Sequence, residues 1–243
     1  MPELSIVIPA FNEAGRIRQA LDSAAAFFGA ACISFELVVV DDGSADGTMA
    51  AVKAWRDERG AMAPVVNLLS IPHQGKGGAV RAGVMAAAGD VILMADADCS
   101  TPFEDWPKLA EAMKAGAQVA VGSRQAPGAQ IQVHQPWLRQ HLGQLFGRLA
   151  RWLFPIGVID SQCGFKGFSA PAAREIFSAL AARGFAFDIE VLLRARQLGY
   201  KVAEVPVRWQ NHPDSRVKVW RDWPGVLREL WAIRRELAGG PKR

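Results

Sequence analysis

The chain has 243 residues, 50% of them hydrophobic and 21% charged, a composition that excludes a disordered polypeptide. A chain of this length buries about 70–75% of its unfolded surface and needs neither disulfides nor structural metal to fold. The net charge of +4 hides an asymmetry: residues 1–129 hold 10 basic and 15 acidic residues, whereas residues 130–243 hold 18 and 9. A basic half invites an anionic partner such as nucleic acid, a membrane surface or a phosphorylated ligand. Cys32, Cys99 and Cys163 are far apart, with no Cys/His ligand spacing, which suits a reducing cytosol and argues against a zinc module. Met1-Pro2-Glu3 offers no basic start to a signal peptide, and no apolar run is long enough to span a bilayer. Membrane contact is therefore expected to be peripheral.

Leu4–Pro9, Phe35–Val40, Val65–Ile71 and Val91–Ala95 are continuous apolar runs rich in Val, Ile and Leu. Unbroken runs, in place of strict alternation, predict strands buried on both faces of a parallel sheet. Between them Glu13–Gly29, Asp46–Gly60 and Lys76–Ala88 read as helices, with Asp46 placed to cap the second. Gln118–Gly122 reads as a fifth strand. Such strand–helix repeats predict a layered α/β fold whose ligands bind at the carboxyl ends of the strands.

Each of those ends carries polar residues. Pro9-Ala10-Phe11-Asn12-Glu13 follows the first strand, and Asp41-Asp42-Gly43-Ser44 follows the second. His73-Gln74-Gly75-Lys76-Gly77-Gly78 follows the third, and Asp96-Ala97-Asp98 follows the fourth. Neither a Walker A loop nor a Rossmann fingerprint fits: Ser70 and Gly77 break the first, and Pro9–Glu13 has no glycine for the second. Asp96 and Asp98, two apart at the end of a buried strand, repel each other unless a cation neutralises them. Oxygen-only ligands suit Mg²⁺ or Mn²⁺ shared with a diphosphate. Pro102 as a first helical residue makes Ser100 or Thr101 the better helix cap, leaving both aspartates for the metal.

On these segments, together with Gly75-Lys76-Gly77-Gly78-Ala79, the chain resembles the family 2 inverting glycosyltransferases of GT-A fold. A narrower likeness is to the polyprenyl- and dolichyl-phosphate sugar synthases, above all their glucosyltransferase branch. It rests on Gly122-Ser123-Arg124, Asp160-Ser161-Gln162-Cys163-Gly164-Phe165-Lys166, Phe187-Asp188-Ile189-Glu190, Pro206-Val207-Arg208-Trp209 and Ser215-Arg216-Val217. The likeness runs from residue 4 to residue 235. The eukaryotic glucosyltransferases carry an N-terminal membrane anchor, which this sequence does not begin with.

The resemblance implies one GT-A domain over residues 1–243, a mainly parallel sheet flanked by helices, with C-terminal amphipathic helices. Residues 1–125 would be its nucleotide-sugar half and residues 126–243 its acceptor and membrane half. It implies that Pro9, Ala10, Glu13, Asp41, Asp42, Lys76, Asp96 and Ala97 hold the nucleotide sugar, with Asp41 and Asp42 left unordered as the nucleoside contact. Asp96 and Asp98 would hold the metal, Mg²⁺ or Mn²⁺, on the diphosphate leaving group. Arg124, Gln162, Lys166 and Arg216 would receive an acceptor phosphate. Asp98, Arg124, Lys166, Asp188 and Glu190 are the expected catalytic residues.

The acceptor decides whether a base is needed. A sugar hydroxyl must lose a proton, whereas a lipid monophosphate, with a second pKa of about 6, is already ionised at neutral pH. Asp188 or Glu190 would be the base in the first case and would orient Lys166 or Arg124 in the second, which is the expected one. Trp137–Phe154 sets Leu138, Leu142, Leu145, Leu149 and Trp152 on one helical face beside Arg139, Arg148 and Arg151. Val219–Arg235 repeats the pairing of tryptophan with arginine, which suits anionic headgroups. No nucleic-acid motif is present, and that partner would leave Asp96 and Asp98 idle. The expected function is metal-dependent transfer of a hexose from UDP-glucose, or from GDP-mannose, to a polyprenyl phosphate on the cytoplasmic face of a membrane.

Overall fold

Three of the continuous apolar runs form buried strands inside a seven-stranded sheet, whereas the third, Val65–Ile71, forms a partly exposed strand at its edge, where among the described residues no neighbouring strand covers one side. In the computed structural model, which describes residues 1–133, 153–210, 225 and 228–235, the strands are β1 (Leu4–Ala10), β2 (Phe35–Asp41), β3 (Val65–Ser70), β4 (Val91–Ala95), β5 (Val119–Ser123), β7 (Phe165–Ser169) and β8 (Val202–Pro206). Their order across the sheet is β3-β2-β1-β4-β7-β5-β8. Neighbours are parallel except for β7, which runs antiparallel to both β4 and β5. Two short strands, β6 (Gln130–Val133) and β9 (Arg208–Gln210), pair in parallel as a separate ribbon.

Period-two alternation sorts the strand residues onto two faces. Val7, Val38, Val40, Ile92 and Met94 face a layer made by α3 (Lys76–Ala86), α5 (Ala170–Ser178) and α6 (Phe187–Gln197). Ile6, Ile8, Leu37, Val39 and Leu93 face α1 (Ile17–Ala30), α2 (Thr48–Arg59) and α4 (Trp106–Lys114). Each such Val, Leu or Ile, removed from water on both sides of the sheet, contributes about 1.5–3 kcal/mol of burial. The expected mainly parallel α/β sheet flanked by helices is thus present; the apolar runs did not announce β8 or, between β4 and β5, β7. Strand β7 contains a lysine and a glycine, Phe165-Lys166-Gly167-Phe168-Ser169. Gly167 gives α4 room to pack closely: a Cβ there would sit 3.1 Å from Met113 Sδ and 3.3 Å from the Trp106 ring.

Helix boundaries shift where side chains claim the backbone. The predicted helix from Glu13 begins at Ile17, and the N–H groups of Asn12, Glu13 and Ala14 before it bind Ser44 Oγ, Thr48 Oγ1 and Asp46 Oδ2, which ties this turn to the loop after β2. Asp46 is not the cap of α2: Gly47 holds that position because the helix starts at Thr48, and Asp46, one residue before the cap, accepts the Thr48 N–H at 3.0 Å. The third helix ends two residues early, at Ala86, where Ala87 turns extended and the Ala88 N–H goes to the buried Glu36. That carboxylate also accepts the Ser5 hydroxyl at 2.5 Å and so braces the amino ends of the strands. Pro102 does not open a long helix: a short turn over Phe103–Asp105 precedes α4, whose own first turn holds Pro107. The amphipathic helix expected over Trp137–Phe154 lies outside the described residues but for its last two. So do Arg216 and the cluster from Val219 to Trp223. Among the described residues, no helix is long and apolar enough to cross a membrane.

α3 lies directly on the sheet because it has no side chain at Gly83, where a Cβ would stand 2.4 Å from Val7 and 2.9 Å from Val40. Gly83→Ala is expected to destabilise the fold by about 1–3 kcal/mol through overpacking. Gly29→Ala, near the end of α1 with nothing within 4 Å of the added carbon, should stabilise it by about 0.4–1 kcal/mol. Urea midpoints of the two variants check both signs.

Candidate active site

The loops after β1 and β2 interlock before anything else can bind there. Asn12, in the left-handed region at φ 56°, turns its Oδ1 to the N–H groups of Ala45 and Asp46 at 2.8 and 3.3 Å. Asp42, buried at the end of β2, accepts the N–H groups of Gln74 and Gly75 at 2.7 and 2.9 Å, and His73 Nδ1 stands 2.8 Å from the same carboxylate. Its neighbour Asp41 has one long contact, from the Ser44 N–H at 3.4 Å. The pair that the sequence left unordered is thereby distinguished: Asp42 holds the 73–75 loop, and Asp41 keeps the less committed carboxylate. The imidazole of His73 stacks on the half-exposed ring of Phe11 at 4.3 Å. Glu13 is bound two-pronged by Arg16 at 2.7 and 2.8 Å. Ala10 contributes its carbonyl to the Asp42 N–H at 2.9 Å, and Pro9 precedes it at the strand end.

Lys76 is the first residue of α3, and its ammonium lies 2.7 Å from Asp96 at the end of β4. Burial pushes that ammonium down, but Asp96, Asp188 and Asp98 outweigh burial and hold it above the ordinary lysine value. Asp96 is itself raised, first by burial and then by Asp98 and Asp188, against the pull of Lys76. Asp98 anchors its own turn by accepting the Ser100 N–H at 2.9 Å, Ala97 is buried between the two aspartates, and Cys99 adopts φ 52°. The glycines around Lys76 are spent on protein contacts and not on a phosphate cradle. A Cβ at Gly75 would meet the Arg183 carbonyl at 2.7 Å, and one at Gly77 would meet the Ala182 carbonyl and Phe187 Cβ, each at 2.7 Å.

Because β7 is antiparallel, its leading segment 160–164 arrives at the edge where the parallel strands end. Gly164 lets that segment press onto Asp96: a Cβ there would fall 1.9 Å from Asp96 Oδ2. Lys166, 1% exposed, donates to the Cys163 carbonyl at 2.6 Å and to Asp188 Oδ1 at 2.5 Å. Sealed in this way, it holds the segment from within and is not the open phosphate-binding cation expected of it. Asp188 reaches it from the first turn of α6. Glu190 does not orient Lys166 or Arg124. It is fully buried and accepts the Ala181 and Ala182 N–H groups at 2.9 and 2.7 Å, together with Arg194 at 2.7 Å.

Arg124, just past β5, is bound by Asp160 through Nε at 2.6 Å, Nη2 at 2.7 Å and its backbone N–H at 3.0 Å. Burial opposes both charges, yet the pair outweighs it, so Asp160 lies below the usual carboxylate value and Arg124 above its own. Glu204 of β8 fixes the same turn by accepting the Ile159 and Asp160 N–H groups at 2.8 and 2.9 Å. Beside them, the side-chain Nε2 of Gln162 is buried with no hydrogen-bond partner among the described residues.

The structure therefore gathers Lys76, Asp96, Asp98, Lys166 and Asp188 into one cluster, with Gln162 on the adjoining 160–164 segment and Arg124, just past β5, tied to that segment through Asp160. Glu13 and Asp42 stand at the β1 and β2 ends. Glu190 points to a neighbouring loop, and Arg216 lies outside the described residues. Asp160, His73 and Phe11 were not singled out, although each sits inside a segment that was. A carboxylate one turn of loop before a glycine, and an aromatic beside a strand-end asparagine, carry no periodic signal of their own.

Asp160→Asn should cost about 3 kcal/mol at neutral pH, since it strands a largely buried guanidinium. The carboxylate is depressed in the folded state, so its stabilisation is present above the unfolded value and is lost as pH falls through the folded one. The gap between wild type and variant should close below about pH 4, which denaturation at stepped pH would reveal.

Comparison with known proteins accords with this geometry. The pattern of the Glycosyl transferase family 2 matches residues 5–177. A dolichyl-phosphate beta-glucosyltransferase of Drosophila melanogaster is 37% identical over 243 residues, covering 95% of this chain and 74% of the relative. Its Mus musculus counterpart is 34% identical, covering 96% and 75%. Among solved structures, a glucosyl-3-phosphoglycerate synthase from Mycobacterium tuberculosis, crystallised with Mn²⁺, uridine diphosphate and glucosyl-3-phosphoglycerate, superposes with a TM-score of 0.73. It is 20% identical, with 99% of this chain and 81% of that one covered, and so shares the fold. With the family pattern spanning most of its length and relatives above 30% identity along nearly all of it, the chain belongs to glycosyl transferase family 2.

Proposed function

We propose that this chain transfers glucose from UDP-glucose to a polyprenyl phosphate with inversion, the lipid phosphate itself being the nucleophile. The observation that carries the reading is the engagement of both carboxylates that could act as a base. Asp188 is bound to a sealed lysine at 2.5 Å, and Glu190 holds two backbone N–H groups and Arg194. An acceptor that arrives ionised needs no proton removed. It needs donors, and the buried Gln162 Nε2 near the Arg124–Asp160 pair, without a partner among the described residues, offers one. The relatives named for dolichyl phosphate and glucose support the choice of substrates.

Asp96 and Asp98 present only oxygen donors, which fit a hard divalent cation. Among the described residues no three His, Cys, Asp or Glu side chains form a metal group, so substrate oxygens and water would complete the coordination. Mg²⁺ or Mn²⁺ bound there would supply charge neutralisation for the departing diphosphate. Lys76, 2.7 Å from Asp96, is placed to exchange its carboxylate for a diphosphate oxygen. Arg124 orients the acceptor phosphate while Asp160 restrains the guanidinium, and the 160–164 segment excludes water from behind Asp96. Asp41, at the end of β2, is the better placed of its pair to meet the nucleoside. The protein would work peripherally on the cytoplasmic face of an anionic membrane.

Purified protein with Mn²⁺, a panel of UDP- and GDP-sugars and polyprenyl phosphate should place glucose in the lipid phase. Transfer only to water-soluble acceptors would refute the reading, and turnover with GDP-mannose alone would replace the donor. The rate should rise through about pH 6, following the second ionisation of the acceptor, and stay level above it. With a phosphonate acceptor of higher pKa the rise should move upward by the same interval; a fixed inflection would point to a protein base. Asp98→Asn is expected to abolish turnover and to remove the Mn²⁺ dependence of UDP binding in calorimetry.

A further inference from the structure

Five backbone N–H groups in residues 181–186 end on two carboxylates. Glu190 takes those of Ala181 and Ala182, and Glu229 takes those of Arg183, Gly184 and Ala186 at 3.1, 2.7 and 3.3 Å. Glu190 belongs to α6, whereas Glu229 comes from a helical stretch, residues 228–235, far along the chain. Gly184 has no side chain where Glu229 arrives: a Cβ would lie 2.9 Å from its carboxylate. The clamped segment in turn seats the donor site. The Arg183 carbonyl accepts the Gly78 N–H at 3.1 Å, and the Arg183 guanidinium donates to Gln74 at 2.6 Å. Gln74 is held by Asp42, and the next helix begins with Lys76.

The opposite side of residues 228–235 faces outward. Leu230 and Ile233 are buried in the core, while Trp231 is 62% exposed with the Arg235 guanidinium 4.6 Å over its ring. Arg228 and Arg234 are exposed three residues to either side of that tryptophan, on the same helical face. The one acidic residue of the stretch is turned inward to its clamp. An exposed indole ringed by three guanidinium groups is complementary to an anionic lipid headgroup layer, in which the ring sits among glycerol groups and the arginines meet phosphates.

We propose that residues 228–235 dock on an anionic lipid surface and that Glu229 couples this docking to the donor site by fixing residues 183–186 against the start of α3. The inference rests on the polyprenyl-phosphate reading, which brings the chain to a membrane, and adds that the surface regulates the site as well as supplying acceptor. Glu229 is here a positioning residue. Stabilising the docked helix tightens UDP binding without any lipid entering the site.

The test measures UDP affinity of the full chain in Mn²⁺ with acceptor-free vesicles. Vesicles of phosphatidylcholine and phosphatidylglycerol in equal parts should tighten it about fivefold or more, and phosphatidylcholine vesicles should leave it unchanged. Linkage demands the reciprocal: saturating UDP must strengthen co-sedimentation with the anionic vesicles by the same factor. Trp231→Ala with Arg235→Ala should lose co-sedimentation and tightening together. Glu229→Ala should still co-sediment but lose the tightening, and Glu229→Gln, which keeps one acceptor oxygen, should recover most of it. Vesicle binding that leaves UDP affinity untouched, or a Glu229→Ala variant that responds like wild type, would overturn the coupling. Absence of vesicle binding would overturn the docking surface. The reaction itself is scored apart from both, as transfer to polyprenyl phosphate in detergent without vesicles.

Discussion

An ammonium group enclosed in protein costs several kcal/mol unless it finds an opposite charge and enough acceptors. Lys166 meets that demand with Asp188 at 2.5 Å and the Cys163 carbonyl at 2.6 Å. The three groups come from the middle of the sheet, the first turn of α6 and the segment before β7. Satisfying one buried charge therefore sets the relation between all three. The 160–164 segment is held where Gly164 can touch Asp96, α6 is held where Glu190 can reach the 181–182 backbone, and β7 is held in register between β4 and β5. Much of the crevice at the strand ends is downstream of that pair.

The charge asymmetry of the sequence acquires a physical meaning on this frame. Acidic residues of the first half end strands and organise loops: Asp42 gathers residues 73–75, Asp46 accepts the Thr48 N–H at the start of α2, and Asp96 meets Lys76. Two groups stand out among the described basic residues of the second half. Lys166 and Arg194 are consumed by internal carboxylates, while Arg228, Arg234 and Arg235 stand outside on one short helical stretch. A net charge close to balance thus conceals an interior that is locally neutralised and an exterior that is regionally positive.

Much of this was legible from residue order. The unbroken apolar runs located β1, β2 and β4 to within a residue, because strands buried on both faces read as continuous apolar segments, and they located the edge strand β3 as closely although it is only partly buried. The strand-end segments located the crevice, since loops there have no packing reason to be so polar. What stayed hidden was everything set by partners distant in sequence. Whether Lys166 was open or sealed depended on Asp188 and on a carbonyl, and Glu190 looked like its twin until their partners separated them. Why glycine stands at 75 and 77 was equally out of reach, because both positions answer to the carbonyls of residues 182 and 183. Strand β7 escaped notice because a lysine and a glycine interrupt its apolar character, both for reasons of tertiary fit.

The antiparallel placement of β7 also orders the birth of the sheet. β3, β2, β1 and β4 are neighbours made of residues 4–95 and can pair among themselves without any later segment, with the outer side of β4 left open for β7. β5, complete at residue 123, has only β7 and β8 beside it, both made later. As the chain leaves the ribosome, its fifth strand must wait, apolar and unpaired, until residues 165–169 emerge to bridge it to β4. Long-range pairing of this kind is slow and leaves strand edges open to other chains. The strand that assembles the catalytic crevice is thus also the one whose late arrival sets the period of greatest vulnerability to misassembly.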